Sequence, residues 1–172
     1  IVAPLDAANI RYTSEICWSS DWYGSIITAS KRFNAGRIIL QSPERSSLRN
    51  RLFNEAIWRL IRTAPCPVLM VSPDSRRQRK VILAAVCEQS HKGDYERLNE
   101  LIVERGQWLA AEYGAELHIV NAYKDSLNYP DRSVLAKETG VPGSQVHVQA
   151  GKPEDVISSV ADEVKADIVV LG

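Results

Sequence analysis

A helix stopped by two prolines constrains the fold of this chain more than any other stretch. Residues 45–64 carry apolar side chains at the three- and four-residue spacing that lines one face of an α-helix. Pro65 and Pro67 donate no backbone hydrogen bond and disfavour helical geometry in the residue before them, so the helix must end by Ala64. The apolar run Val68–Val71 then predicts a short buried strand on which the helix packs.

Strand-like apolar runs alternate with helical periodicity along the rest of the chain. Such alternation requires right-handed crossovers between parallel strands, with helices on both faces of the sheet. We therefore expect an α/β fold with doubly wound parallel sheets. The predicted strands are residues 1–6, 11–18, 37–40, 81–86, 116–122, 146–148 and 167–171, and the predicted helices cover about residues 22–33, 98–113 and 153–164. A polar loop is expected over residues 124–132.

Two parts of the chain repeat each other. Residues 16–41 superpose on residues 147–172 at a constant offset of 131 positions, with agreement of the apolar positions. Agreement over this length predicts two copies of one domain. We place the first domain at residues 1–73 and the second at residues 80–172, joined by an exposed linker that has no apolar residue.

The two copies differ in length near their first strands. These strands end at Asp6 and Cys87, an offset of 81 positions, so the first copy is 50 residues shorter before the repeat begins. We therefore expect a missing segment near residues 7–10. A second missing segment is expected near residues 131–134, and a further part of the second domain beyond Gly172.

Composition excludes several function classes. The chain has 21 basic and 21 acidic residues, so it has no net field to attract nucleic acid. No apolar run approaches the about 20 residues of a membrane span, and no signal peptide is recognisable. The three cysteines lack metal-ligand spacing, which predicts no metal site and a reducing cytoplasm. His91, His118 and His147 have no acid or nucleophile at a telling spacing, so no catalytic role is expected.

Three segments resemble the universal stress protein family. They are the strand region 64–71, the helix start at residues 151–157 and the strand at residues 166–172. Their order and duplication are similar to the two-domain type E branch of that family. The resemblance implies a flavodoxin-like, or adenine nucleotide α-hydrolase-like, fold in each half, with the halves forming a pseudo-dimer within the chain. The strand that the resemblance assigns to the pairing of the two domains consists of Val68, Leu69, Met70 and Val71.

The resemblance also implies where an ATP site would lie. ATP-binding members carry three loop glycines and then Ser or Thr, because glycine lets backbone N–H groups approach the phosphates. In the first copy these positions are occupied by other residues, so we expect no phosphate binding there. The lost phosphate-loop positions are Gln41, Glu44, Asn54 and Glu55.

Each copy retains one candidate nucleotide contact. The adenine-side aspartate of the family corresponds to Asp6 in the first copy and to Cys87 in the second. The first loop glycine corresponds to Gly172. ATP or another adenine nucleotide is therefore expected, if at all, in the second copy only. A capping or solvated role for Asp6 and a turn role for Gly172 are the alternatives.

The main functional hypothesis is a non-catalytic cytoplasmic stress-response protein that binds a small ligand or a protein partner. One alternative is ATP binding or slow ATP hydrolysis by the second domain. Another is an apolar ligand in a first-domain cleft near Trp18, Trp22 and Trp58, although large aromatics are more often core anchors. An electron-transfer flavoprotein of similar architecture has no support from the residues. The expected partners are the second domain of the same chain and a second copy in a homodimer.

Overall fold

The structure is a computed structural model with two compact units. The first unit contains the described residues up to Leu40 and from 55 to Met70, and the second contains Gln41 and the described residues from Val71 onward. The described residues are 3–41, 55–72, 78–88, 94–124 and 129–172. The predicted helix at residues 45–54 and most of the predicted linker lie outside them.

The described residues of the first unit include three helices and two strands. Strands β1 and β2 form a two-stranded sheet, and the N–H of Ile38 donates to the carbonyl of Pro67 at 3.0 Å. Ile57 and Leu60 of the third helix are buried, which confirms the predicted apolar stripe there. The elements are α1 (Ala3–Ala7), α2 (Trp22–Arg32), β1 (Ile38–Gln41), α3 (Glu55–Thr63) and β2 (Val68–Val71).

Two strands predicted in the first unit are wrong. Residues 3–6 of the strand predicted at 1–6 lie in the short helix α1. Just beyond the end of this helix, the N–H of Ile10 donates to the carbonyl of Leu5 at 2.9 Å. Residues 11–18 form no regular structure, and Trp18 is 95% exposed. A parallel strand needs a neighbour for its backbone groups. Among the described residues no strand pairs with either segment, so local hydrogen bonds and solvent take the place of a sheet.

The second unit is a four-stranded parallel sheet covered by helices, as predicted. Its strand order is β5-β4-β3-β6. The registers pair Ile82 with Leu117 and with Ile168, and Val120 with His147. The elements are β3 (Val81–Val86), α4 (Asp94–Tyr113), β4 (Glu116–Tyr123), α5 (Arg132–Thr139), a 3₁₀ turn (Gly143–Gln145), β5 (Val146–Ala150), α6 (Pro153–Glu163) and β6 (Ile168–Val170).

Both faces of this sheet are buried. Alternate residues of β3 enter two separate apolar clusters, which is the pattern of a central parallel strand. Helices α4 and α5 cover one face, where the buried cluster is Ile82, Ala84, Val86, Ile102, Leu117, Ile119, Leu135, Val141 and Val146. Helix α6 covers the other face, where the buried cluster is Leu83, Ala85, Val120, Val156, Val160 and Ala161.

Helix α5 was not predicted. Asp131 caps it by accepting the N–H of Ser133 at 2.7 Å, and Gly140 ends it in the left-handed conformation with φ +67°. The predicted polar loop is therefore wrong at Arg132, where the helix begins, and its residues 125–128 lie outside the described residues. The missing segments expected near residues 7–10 and 131–134 stay predictions.

The repeat is visible in the local structure of its helices. Helices α2 and α6 begin and end at positions that differ by the same 131 residues. Asn34 after α2 has φ +47°, and Lys165 after α6 has φ +55°. The next residues, Ala35 and Ala166, each donate an N–H to the carbonyl five positions earlier, at 2.9 and 2.8 Å. Both copies thus end this helix with the same left-handed cap.

Candidate functional site

The candidate site is the carboxyl edge of the second sheet. From β3 the chain builds the sheet outward through β4 and β5, and then crosses to the other side of β3 to form β6. Ligands of open α/β sheets bind outside the carboxyl ends of the strands where the direction of winding changes. In this unit that point lies beside the ends of β3 and β6, after Val86 and Val170.

A buried amide lies at this edge, and its nitrogen has no hydrogen-bond partner among the described residues. Asn121 pairs with Val86 in the β3–β4 register and is 1% exposed. Its Oδ1 accepts the N–H of Glu88 at 2.9 Å, whereas its Nδ2 has no partner among the described residues. Leaving a buried donor unpaired costs about 1–3 kcal/mol, so such a group calls for a function or a bound molecule.

A second asparagine fixes the backbone next to this amide. Asn99 of α4 accepts the N–H of Cys87 with its Oδ1 and donates its Nδ2 to the carbonyl of Cys87, both at 3.0 Å. The residue that follows β3 is therefore held by both of its backbone groups. This attachment positions Glu88, and through it the side chain of Asn121.

The charge at the edge disfavours anions. Burial raises the pKa of the Glu88 carboxyl, and the carboxylates of Glu138 and Glu96 raise it further. Burial and the neighbouring Glu88 also raise the pKa of the Cys87 thiol, which keeps this thiol in its neutral form. A phosphate beside Glu88 would enter a region in which three acidic side chains already act on one another.

Gly172 follows β6 at the same edge. A Cβ atom at this position would lie 2.6 Å from Cδ1 of Leu98 and 2.9 Å from Cδ1 of Ile102. The absence of a side chain therefore lets α4 pack against the end of β6. This packing explains the glycine without a ligand, and its role as a nucleotide contact stays a prediction.

The other predicted nucleotide positions lie in or beside the first unit. Asp6 belongs to α1, so it is not at the end of a strand, where its expected role would place it. Gln41 is the exposed last residue of β1, and Glu55 begins α3. Glu44 and Asn54 lie outside the described residues.

The first unit contains a groove between residues 15–19 and α2. Its volume is about 640 Å³, and Trp22 is the one tryptophan that lines it. Most of the other lining side chains are polar or charged, including the ion pair of Arg32 with Glu15. Most of the exposed surface of the groove wall is nevertheless apolar, as in pockets for small molecules, so the apolar-ligand hypothesis stays a prediction.

The structure brings two of the three histidines into contact. Nδ1 of His118 lies 3.0 Å from Nε2 of His147 across the β4–β5 pair.

No group of three or more His, Cys, Asp or Glu side chains that could hold a metal ion is found in the described part of the chain. The same residues include no helix long and apolar enough to cross a membrane.

Curated relatives resemble nearly the whole chain, although no family model matches it. The universal stress protein E homolog of Haemophilus influenzae is 27% identical over 187 residues, which cover 95% of this chain and 60% of the relative. Universal stress protein E of Escherichia coli is 26% identical over 188 residues, covering 96% of this chain and 60% of the relative.

These relatives support membership of the universal stress protein family. This chain spans 60% of the length of both relatives. The alignment with the Haemophilus protein is 187 positions long, whereas this chain has 172 residues. This chain therefore has gaps in the alignment, opposite residues that the relative has and this chain lacks.

Solved structures of universal stress proteins share the fold. A protein of Pseudomonas aeruginosa UCBPP-PA14 assigned to the family superposes with a TM-score of 0.78 at 23% identity, covering 98% of this chain and 63% of that one. A universal stress protein of Archaeoglobus fulgidus superposes with a TM-score of 0.65 at 21% identity, covering 96% of this chain and 59% of that one. The α/β fold with parallel strands is therefore shared with these structures.

Proposed function

We propose that this chain is a tandem universal stress protein that acts without catalysis, in the cytoplasm, by binding a small ligand at the carboxyl edge of its second sheet. The tandem organisation is supported by the repeated helix, whose matching left-handed cap occurs in both copies. The binding role is supported by the position of the edge at the change in winding.

The unpaired Nδ2 of Asn121 is the observation that carries this proposal. An amide that is 1% exposed and lacks a described partner gains a hydrogen bond when an acceptor enters the edge. The ligand must therefore present a hydrogen-bond acceptor to this nitrogen. Because the carboxylates of Glu138 and Glu96 add negative charge near Glu88, we expect the acceptor to belong to an uncharged group, such as a carbonyl or a ring nitrogen.

Binding of ATP by the second domain is the second candidate. Gly172 favours it, because a glycine after β6 corresponds to the first loop glycine of ATP-binding members. The acidic surroundings of Glu88 favour the uncharged ligand instead. The two candidates differ in whether phosphate groups add to binding.

Adenosine and ATP are the probes that separate these candidates. We expect adenosine to raise the melting temperature of the full chain at least as much as ATP does, because the phosphates of ATP gain nothing near Glu88. Asn121→Leu should remove the adenosine response. The matched control is Thr139→Val, which removes another buried polar group of the same unit. A larger response to ATP would favour the second candidate, and no response to either probe would contradict binding of adenine compounds.

The strand β2 is proposed to pair with the second domain of the same chain. The support is its short apolar sequence, in which Leu69 remains exposed beside β1, because such an edge is prone to associate. Leu69→Lys should then lower the melting temperature while the molecular mass in sedimentation stays that of one chain. A mass of two chains that falls to one in the variant would instead assign this edge to a homodimer.

A further inference from the structure

Two imidazole rings form a hydrogen-bonded pair on the sheet of the second unit. Nδ1 of His118 lies 3.0 Å from Nε2 of His147, and the rings are stacked with centroids 5.3 Å apart and planes inclined by 18°. In such a contact one ring donates its N–H and the other accepts it. At least one of the two facing nitrogens must therefore be without a proton.

The pair lies on the face of the sheet that α6 covers. Val120 pairs directly with His147 in the β4–β5 register and belongs to the apolar cluster under α6. His118 precedes Val120 by two positions and so points to the same face. Both rings are only partly exposed, and the side chain of His118 is 13% exposed. Water can therefore stabilise charge on the pair only in part.

Charged side chains from three elements act on this pair. Glu116 of β4 lies 3.6 Å from Nε2 of His118. Glu163, at the end of α6, favours a proton on His147, whereas Arg132, at the start of α5, opposes it. The carboxylates of Glu116 and Glu163 thus stabilise one positive charge on the pair. A second charge would lie about 3 Å from the first, at the distance where repulsion in a protein is strong.

We propose that the His118–His147 pair is a pH-sensitive switch in which acid breaks the hydrogen bond and loosens α6 from β4 and β5. The second proton binds the nitrogen that accepts the hydrogen bond at neutral pH. Both facing nitrogens then carry hydrogen, no hydrogen bond can join them, and two positive rings repel each other beneath α6. The α6 residues that pack on this face of the sheet include Val156, Val160 and Ala161, whose apolar side chains cannot stabilise the added charge.

The direction of the pH effect follows from the protonation of His147. Burial, and next the charge of His118, lower the pKa of His147 in the folded chain. As the pH falls through the ordinary value for histidine, about 6.5, the unfolded chain takes up this proton before the folded chain does. Stability is therefore fully present above this value and is lost as the pH falls below it. For one proton, the equilibrium constant for unfolding rises at most about tenfold per pH unit.

The test compares urea unfolding of the full chain at about pH 7.5 and about pH 5, a range in which histidine changes charge. The test variant is His118→Gln combined with His147→Gln, which leaves a pair of uncharged amides. The control is His91→Gln, which removes the remaining histidine of the sequence. We expect the urea midpoint of the original chain and of the control to fall in acid, and that of the double variant to fall much less. An equal fall in all three would overturn the proposal.

Direct titration of the rings keeps the proposal testable even where the double variant does not fold. Carbon–proton NMR of the histidine ε1 positions in the unmodified chain should show His147 taking up its proton at lower pH than a free histidine does. The signals of α6 should change in the same step. Titration of His147 near the ordinary value, with α6 unchanged, would contradict the switch.

Discussion

The two copies of the repeated helix and strand have the same local structure but different surroundings. In the second copy, Val170 of β6 packs beneath α4, next to β3. The corresponding residue of the first copy, Ile39 of β1, is 62% exposed. Likewise Val164 packs under the sheet, whereas Phe33 is exposed.

The difference shows which features of the repeat are encoded locally. The left-handed cap depends on backbone hydrogen bonds within a few residues, and it forms in both copies. Burial depends on a neighbouring strand and a covering helix. In the described part of the first unit, β1 pairs with β2 alone. No strand or helix there takes the place that β3 and α4 have beside β6 in the second unit.

The largest expected effect comes from a charge placed at equivalent positions of the repeated helix. Val160 of α6 is 0% exposed, and its counterpart Ala29 of α2 lines the open groove of the first unit. Val160→Asp should destabilise the second unit by about 3–5 kcal/mol, because an unpaired carboxylate would be buried. Ala29→Asp should cost about 1 kcal/mol. Chemical denaturation measures both losses of stability. Equal losses would show that the two positions are equally shielded from water.

A smaller effect is expected where the two helices begin. Asp21 caps α2 by accepting the N–H of Gly24 at 3.2 Å, whereas α6 begins with Pro153 and has no side-chain cap. Asp21→Ala should destabilise the first unit by about 1 kcal/mol, since a capping hydrogen bond is lost. Pro153→Ala should cost about 0.5 kcal/mol through the greater freedom of the unfolded chain. The helical circular dichroism signal during thermal unfolding measures both losses, and a greater loss in Pro153→Ala would contradict this assignment of the caps.

The smallest expected effect concerns the shared cap at the other end. Lys165 adopts φ +55°, which is unfavourable for a long side chain, while Asn34 adopts φ +47°, which asparagine tolerates. Lys165→Gly should therefore raise stability by about 0.5–1 kcal/mol, and Asn34→Gly should change it by only a few tenths. The midpoints of chemical denaturation compare the two. Destabilisation by Lys165→Gly would show that this cap is held by contacts of the lysine side chain.

The same contrast explains what the sequence could predict. Strands β3, β4, β5 and β6 were predicted within two residues at each end, because each is an apolar run next to a helical pattern. The strand at residues 1–6 was predicted from the same kind of run. It failed because strand formation depends on a neighbour, which a single segment does not reveal.

The candidate site was less accessible to prediction than the fold. Asn121 is one polar residue inside an apolar strand, and only the register with Val86 places it at the edge. The contact of His118 with His147 also requires the β4–β5 register. Helix α5 could have been found, since Asp131 and Gly140 are ordinary cap residues at its two ends.

Hydrogen–deuterium exchange of the full chain with and without adenosine tests the central claim most directly. The account predicts slower exchange in the peptides that contain Glu88 and Asn121, and no change over residues 15–32, which form the groove of the first unit. Unchanged exchange at Glu88 and Asn121, or protection in the groove instead, would contradict ligand binding by the second copy.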